Sequence, residues 1–459
     1  MASRISPALA MLAFGARPAF AQRQVPSDSA IHAILQGAVD SNKVAGIVVG
    51  ITDKSGHGIF VAGTGAPGDR TALDGRTIFE IGSATKVFTG ALLADMVARG
   101  EVALGDPVAK FLPPSVTVPS WNGRQITLLD LATQSSGLPR LPANFAPADP
   151  ANPYADYTPQ QLYSFLSSYK LTRAPGAKYE YSNLGMGLLG YALAQRAGAS
   201  YEALLTQRIL RPLGLRDTRI TLTPEQLTRF ATGHSADGKV AAPWSLPTLA
   251  GAGALRSTAN DLLTFVDANL DTGSAPVTVA LRNSRRIARH GAAGEPDLGL
   301  AWNHLHDAGG DIVWHNGMTG GFSSFIAIDS ISHRGVVVLA NTASAATDDI
   351  ALHLLDERLW SARHAVPTQT AIKVAPATLD TYLGEYKLTP TFSITITRNG
   401  SSLYARATNQ QPFELFAETA SRFSLRAVNA KIDFVTTDGH VTGLVLHQNG
   451  QDIPGTKVP

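Results

Sequence analysis

The hydrophobic pattern of the sequence changes at residues 365–378, and this change constrains the fold more than any other feature. Before it, strand-like runs alternate with helical patterns, whose apolar residues recur every three to four positions. After it, short segments of alternating apolar and polar residues follow at roughly ten-residue intervals, separated by turns. The Pro-bearing stretch between them is typical of a linker. We therefore expect two units, at residues 22–364 and 379–459.

In the first unit, strand patterns lie at both ends of the sequence and helices lie between them. The strand patterns lie at residues 44–51, 58–62, 298–302, 312–314, 324–328 and 336–340. The helical patterns lie at residues 83–100, 184–197, 201–210, 262–270 and 348–360. This order predicts an α/β (α+β) domain, with one mixed sheet and a helical subdomain inserted in its sequence. The second unit predicts a small all-β, antiparallel barrel or sandwich.

The chain has no cysteine among its 459 residues, which excludes several chemistries. Without thiols there is no cysteine nucleophile, no Cys-ligated zinc or iron–sulfur cluster and no disulfide. A covalent mechanism must then use Ser, Thr, Lys or a carboxylate. The 38 Lys and Arg residues nearly balance the 36 Asp and Glu residues and form no cluster, which argues against nucleic acid as a partner.

Residues 1–21 have the pattern of an export signal peptide. Arg4 precedes a short apolar stretch at residues 7–15, and residues 19–21 form a small-x-small cleavage site before Gln22. No later window approaches the roughly 20 apolar residues that a bilayer-spanning helix needs. We expect a periplasmic or secreted protein that is soluble and has no stable membrane span.

The strongest catalytic signal is Ser83-Ala-Thr-Lys86, where a strand-like segment is followed by a helix. A serine in the first turn of a helix lies where unpaired backbone N–H groups favour negative charge. Lys86 lies one turn further on the same face. Burial lowers the pKa of a lysine, so that it can act as the base for a neighbouring serine. Taken alone, the same spacing also fits a helix with a solvated lysine.

A second motif is Tyr181-Ser-Asn183, at the predicted start of another helix. A tyrosine there can act as general acid or base if a neighbouring cation lowers its pKa from about 10. The Asn183 amide can hold a lysine or a substrate carbonyl.

A third motif is His315-Asn-Gly317, at the end of a predicted strand. A glycine there lets a substrate backbone lie against the strand edge. The backbone N–H of Met318 can then pair with that of Ser83 as an oxyanion hole.

The three motifs, in this order, resemble those of the penicillin-recognising serine hydrolases, which include class C β-lactamases, DD-peptidases, D-aminopeptidases and esterases. The resemblance covers roughly residues 30–362. It implies a β-lactamase/DD-peptidase-like domain with a central antiparallel sheet, and no metal or organic cofactor. It also implies roles for the four motif residues: nucleophile Ser83, its activating partner Lys86, proton carrier Tyr181 and positioning residue Asn183. Residues 379–386 look like the start of the lipocalin-like domain that follows some family members.

The third motif departs from that of typical β-lactamases, which have a lysine in place of His315. A histidine with an unperturbed pKa near 6.5 is mostly neutral at pH 7 and would donate only a hydrogen bond. We therefore expect an amidase or peptidase acting on small peptides, including bonds next to a D-residue. A carboxylesterase and then a β-lactamase are the alternatives. From a different class, a non-catalytic peptidoglycan sensor would be acylated without turnover.

His304 and His306 lie two residues apart and could bind a metal together. Since we find no third ligand near them, we interpret them as solvated loop histidines and predict no metal site. The expected partner is a small-molecule or peptide substrate.

Overall fold

The computed structural model describes residues 25–65, 72–307, 309–359, 372–389, 392–408, 412–425, 430–448 and 451–458. The expected signal peptide and the first half of the expected linker lie outside these residues. Within these ranges, no helix is both long and apolar enough to cross a membrane.

The first unit contains both strands and helices. Its strands are β1 (Gly46–Asp53), β2 (Gly56–Gly63), β3 (Phe79–Glu80), β4 (Ser120–Trp121), β5 (Arg124–Gln125), β6 (Arg256–Ser257), β7 (Asn303–Asp307), β8 (Gly310–Met318), β9 (Ser323–Asp329) and β10 (Arg334–Ala340). Its helices are α1 (Asp28–Asp40), α2 (Thr85–Ala98), α3 (Leu128–Ala132), α4 (Pro159–Ser168), α5 (Asn183–Ala197), α6 (Tyr201–Leu205), α7 (Pro224–Leu227), α8 (Ala259–Leu270), α9 (Pro276–Arg285) and α10 (Ala346–Leu355).

A six-stranded antiparallel sheet, in the order β2-β1-β10-β9-β8-β7, forms the centre of this unit. Successive side chains of a strand point to opposite faces. In β10, Val336 and Val338 belong to the core on the side of α10, while Val337 and Leu339 belong to the larger core on the side of α8. The apolar run of β10 is therefore continuous because helices cover both faces of the sheet. The sequence prediction of a mixed domain with a helical middle is confirmed.

Helix α2 runs through the larger core, and its residues 85–96 are all buried. A helix that is buried on every side must be apolar on every side, and α2 is so except for a few polar groups. Lys86 is one of these groups and is fully buried. The packing of α2 therefore places the side chain of Lys86 inside the protein.

One predicted strand is wrong. Residues 299–301 form a bend, Leu298 makes only isolated bridges with Arg289 and Asn303, and the edge strand β7 begins at Asn303. Trp302 and Leu300 are buried in the larger core, and Ala301 has a positive φ of 69°. The apolar pattern of this segment therefore reflects packing against the helices, not strand pairing.

The second unit is a closed antiparallel barrel of eight strands, which follows the helix α11 (Pro376–Thr381). The strands are β11 (Gly384–Thr389), β12 (Phe392–Asn399), β13 (Ser402–Ala407), β14 (Phe413–Ala417), β15 (Arg422–Leu425), β16 (Ala430–Thr437), β17 (His440–Gln448) and β18 (Gln451–Lys457). Pairing of β11 with β18 closes the barrel, which removes the unpaired strand edges of an open sheet. The structure thus selects the barrel from the two predicted all-β forms.

Candidate active site

Ser83, the predicted nucleophile, lies in a turn of 3-10 helix, Gly82–Ala84, that leads directly into α2. Gly82 has a φ of 49°, in the left-handed region that glycine tolerates. A Cβ at this position would lie 2.8 Å from the backbone nitrogen of Met318, so glycine allows the turn to pack against the end of β8. Ser83 is half-buried at the wall of a cleft.

Lys86 lies one turn along α2, and its Nζ has three oxygen neighbours. The Nζ is 2.9 Å from Ser83 Oγ, 2.9 Å from Asn183 Oδ1 and 2.6 Å from the Ala252 carbonyl oxygen. Burial, followed by the positive charge of Arg140, lowers the pKa of Lys86 well below its usual value. The neutral amine is therefore favoured far more than in a solvated lysine.

The neighbours of Lys86 determine what the neutral amine can do. Asn183 Oδ1 and the Ala252 carbonyl can only accept hydrogen bonds, so they take both N–H groups of the amine. The lone pair of Nζ is then left for Ser83 Oγ, which has a proton to give. In this arrangement Lys86 can act as a base for Ser83.

Asn183 is the first residue of α5, and Ser182 caps this helix by accepting the Gly185 N–H at 2.8 Å. While Asn183 Oδ1 accepts from Lys86, Nδ2 donates to the Tyr154 hydroxyl at 3.1 Å. Both ends of the amide are thereby oriented. Of the two partners expected for Asn183, a lysine and a substrate carbonyl, the structure shows the lysine.

Tyr181 lies beside these groups, with two basic side chains near its ring. Lys86 Nζ is 4.9 Å from the ring centroid, and the Arg140 guanidinium carbon is 5.0 Å from it. Burial nevertheless raises the pKa of the Tyr181 hydroxyl, and outweighs the lowering by a hydrogen bond with Ser83 and by the Arg140 charge. The lowered pKa that a tyrosine base requires is not found. The phenol keeps its proton near neutral pH and can donate it.

His315 is buried on β8, and its tautomer corrects one expectation. Burial, followed by the charge of Lys86, lowers the pKa of His315 to about 3, so the ring is neutral at pH 7. Its Nδ1 lies 2.6 Å from the Asn316 carbonyl oxygen, which can only accept. The single ring proton is therefore assigned to Nδ1, and Nε2 carries a lone pair. We expected His315 to donate a hydrogen bond to the substrate, but its Nε2 is an acceptor.

Gly317 lies where β8 meets the turn that carries Ser83. A Cβ at residue 317 would overlap the Ile81 carbonyl oxygen and lie 2.9 Å from Ser83 N. The space beside Gly317 is thus filled by the protein's own turn rather than left for a substrate backbone. The same close approach brings the backbones of Ser83 and Met318 to one wall of the cleft.

Much of the cleft comes from residues that the sequence analysis did not identify. Its lining residues are Gly82, Ser83, Tyr154, Asn183, Trp244, Leu246, Ala252, Gly253, Met318 and Thr319. The Tyr154 ring packs between Trp244 and Phe145, with centroid separations of 5.4 and 5.0 Å. The aromatic residues of the segment 144–159 were the available signal, but no spacing rule connects them to Ser83.

Comparisons with known proteins show the family to which this chain belongs. The family model described as Beta-lactamase matches residues 31–358, and the model described as Domain of unknown function (DUF3471) matches residues 368–457. The chain is 31% identical over 287 residues to the D-alanyl-D-alanine-carboxypeptidase/endopeptidase AmpH of Escherichia coli K12, covering 60% of this chain and 73% of that protein. It is 29% identical over 349 residues to the Beta-lactamase of the same organism, covering 68% of this chain and 88% of that protein.

A solved structure, the β-lactamase/D-alanine carboxypeptidase from Yersinia pestis complexed with citrate, has a TM-score of 0.59 and 28% identity to this chain. The match covers 70% of this chain and 95% of that chain. Together with the fold, these relatives define the class of the protein as a serine hydrolase. The chain belongs to the Beta-lactamase family, since the family model matches well over half of it.

Proposed function

We propose that this chain is an exported amidase or peptidase that cleaves small peptides, including bonds next to a D-residue, through an acyl-enzyme on Ser83. The observation that carries the proposal is the position of Lys86 Nζ, 2.9 Å from Ser83 Oγ and bound on its other sides by acceptors. The relatives named as D-alanyl-D-alanine and D-alanine carboxypeptidases support a peptide substrate. Export rests on the pattern of residues 1–21.

In the proposed reaction, Ser83 Oγ attacks the substrate carbonyl carbon while its proton passes to Lys86 Nζ. The developing oxyanion accepts hydrogen bonds from the backbone N–H groups of Ser83 and Met318. Tyr181 donates its proton to the leaving nitrogen and regains one from Lys86. Water then attacks the carbonyl carbon of the ester while protons pass in the opposite direction, from Tyr181 to Lys86 and from Lys86 to Ser83 Oγ. This step releases the acyl group and restores Ser83.

The third motif lacks the lysine that typical β-lactamases have in place of His315. A neutral His315 with an acceptor nitrogen cannot offer the fixed positive charge that a lysine offers a carboxylate. Arg140 provides a cation elsewhere at the cleft, because its guanidinium lies over the Tyr181 ring and its charge acts on both Lys86 and Tyr154. We propose that Arg140 binds the terminal carboxylate of the peptide.

A substrate panel tests the substrate class by kcat/KM. The panel contains a D-alanyl peptide, the matching L-alanyl peptide, p-nitrophenyl butyrate and a chromogenic cephalosporin. We expect the highest kcat/KM for the D-alanyl peptide. Activity on the butyrate ester alone would assign a carboxylesterase, and preference for the cephalosporin a β-lactamase. A stoichiometric burst without turnover would assign the non-catalytic sensor.

The Ser83→Ala variant tests the nucleophile. We expect it to lose turnover and covalent labelling by a fluorophosphonate or penicillin probe. Ser55→Ala is the matched control, because Ser55 is an exposed serine on the turn between β1 and β2 and should leave labelling unchanged. Labelling that persists in the Ser83→Ala variant would show that the assignment is wrong.

A further inference from the structure

His304 and His306 are not loop residues, because both lie on β7 at the edge of the sheet. His304 is buried, with only 3% of its side chain exposed. The antiparallel register of β7 and β8 sets His306 directly opposite Asp311. The third side chain, which the sequence analysis did not find, therefore comes from across the hairpin.

The donor atoms of these three residues lie close together. His304 Nδ1 is 2.8 Å from Asp311 Oδ2, and His306 Nδ1 is 3.2 Å from Asp311 Oδ1. One donor atom from each residue lies within 4.8 Å of the other two. In a tetrahedral zinc site with bonds of about 2.0–2.1 Å, neighbouring donor atoms are about 3.3 Å apart. The cluster therefore needs only small adjustments to hold one ion.

One buried atom of the cluster, Asp311 Oδ1, has no hydrogen-bond partner among the residues described. The contact of Asp311 Oδ1 with His306 Nδ1 is short but does not have the direction of a hydrogen bond. Buried polar atoms are nearly always paired, so an unpaired atom indicates a partner such as an ion or water.

Asp297 lies beside the cluster and offers a further carboxylate. Its Oδ2 is 3.2 Å from His306 Nε2 and 3.2 Å from His290 Nδ1. Its Oδ1 accepts the Gly291 N–H at 2.8 Å, which holds the carboxylate in place. Asp297 therefore accepts a hydrogen bond from His306 Nε2, which leaves the lone pair of His306 Nδ1 facing Asp311 for an ion.

We propose that His304, His306 and Asp311 form a divalent transition-metal site, with water completing the coordination. Imidazole and carboxylate donors suit Zn²⁺, Ni²⁺ and Cu²⁺ better than Ca²⁺ or Mg²⁺. The ion replaces the proton that His304 Nδ1 donates to Asp311, so its affinity falls as the pH falls.

This site lies apart from the reaction. Asp311 and Gly317 are six residues apart on β8, which is about 20 Å at ~3.3 Å per residue. A metal here therefore stabilises the edge hairpin and does not contact the substrate.

Equilibrium dialysis of the full chain against Zn²⁺ tests the site. We expect one Zn²⁺ per chain, and binding at least about 10-fold weaker in both His306→Ala and Asp311→Asn. His57→Ala is the matched control, because His57 is an exposed histidine paired at 2.6 Å with one carboxylate, Asp267. This variant should bind Zn²⁺ like the unaltered chain.

The unfolding midpoint gives a second readout, since an ion that binds the folded state raises it. Zn²⁺ should raise the midpoint of the unaltered chain and of His57→Ala, but not that of His306→Ala. No saturable binding to the unaltered chain, or equal affinity in the His306→Ala variant, would overturn the proposal. The cluster would then consist of His–Asp ion pairs only.

Discussion

Replacing Gly317 by alanine adds one methyl group where β8 meets the Ser83 turn. Its Cβ would overlap the Ile81 carbonyl oxygen. The same Cβ would lie 2.6 Å from Ser324 Oγ and 2.9 Å from Ser83 N. Ser324 Oγ is itself fixed, because it donates to the Ile81 carbonyl at 2.7 Å. No flexible side chain can move aside, so the backbone of residues 81–83 must move instead.

The size of the effect follows from this overlap. The Ile81 oxygen must move by about 1.4 Å to reach an ordinary contact, and a misplacement of about 1 Å can already lower a rate by about 10²-fold. Overpacking also destabilises a core by about 1–3 kcal/mol. Because Ser83 N moves with the turn, one donor of the proposed oxyanion hole is displaced, and loss of such a donor lowers kcat by about 10²–10³-fold. We expect both effects in Gly317→Ala.

Urea unfolding measures the free energy of unfolding, and steady-state cleavage of the preferred panel substrate measures kcat. Gly37→Ala is the matched control, since Gly37 lies within α1 and a Cβ there has no neighbour within 4 Å. That change should stabilise the helix by up to about 1 kcal/mol and leave kcat unaltered. If Gly317→Ala has the stability and kcat of the unaltered chain, the close contact does not position Ser83.

Three further predictions concern side chains around Ser83 and Lys86. Tyr181→Phe should lower kcat by at least about 10²-fold in steady-state assays, and an unchanged kcat would contradict a role in proton transfer. The His315 pKa of about 3 lies below its value in the unfolded chain, so the folded state binds fewer protons and stability falls as the pH falls from about 6.5 towards 3. In urea unfolding, His315→Gln should reduce this slope by up to about 1.4 kcal/mol per pH unit, whereas an unchanged slope would refute the neutral buried ring. Arg140→Ala should raise KM for a peptide with a free carboxylate but not for its amide, and equal effects on both would exclude carboxylate recognition.

The parts of the site that could be predicted are local in sequence. Ser83 and Lys86 are one helical turn apart, so their contact follows from helix geometry once the helix is known. The alternation of apolar residues likewise predicted the small all-β unit. Local geometry depends on backbone dihedral angles, which neighbouring residues set, and therefore a short stretch of sequence carries enough information.

The remaining features depend on groups that are distant in sequence. The segment 298–302 is apolar like a strand, but its packing against helices makes it a bend. The Tyr154 contact with Asn183 joins a loop to a helix 29 residues away. The contact between His306 and Asp311 also depends on the fold, because only the register of β7 and β8 sets these two residues opposite each other.

The sequence by itself indicated a serine hydrolase, through the resemblance of its three motifs to a known family, and two units, through the periodicity of its apolar residues. Each motif and each periodic segment is a local property of the chain. Only the tertiary structure decided the charge states within the site. Burial raises the pKa of Tyr181 and lowers those of Lys86 and His315, and the Asn316 carbonyl sets the His315 tautomer. The desolvation that shifts a pKa depends on every atom packed around the group, and those atoms come from distant parts of the chain.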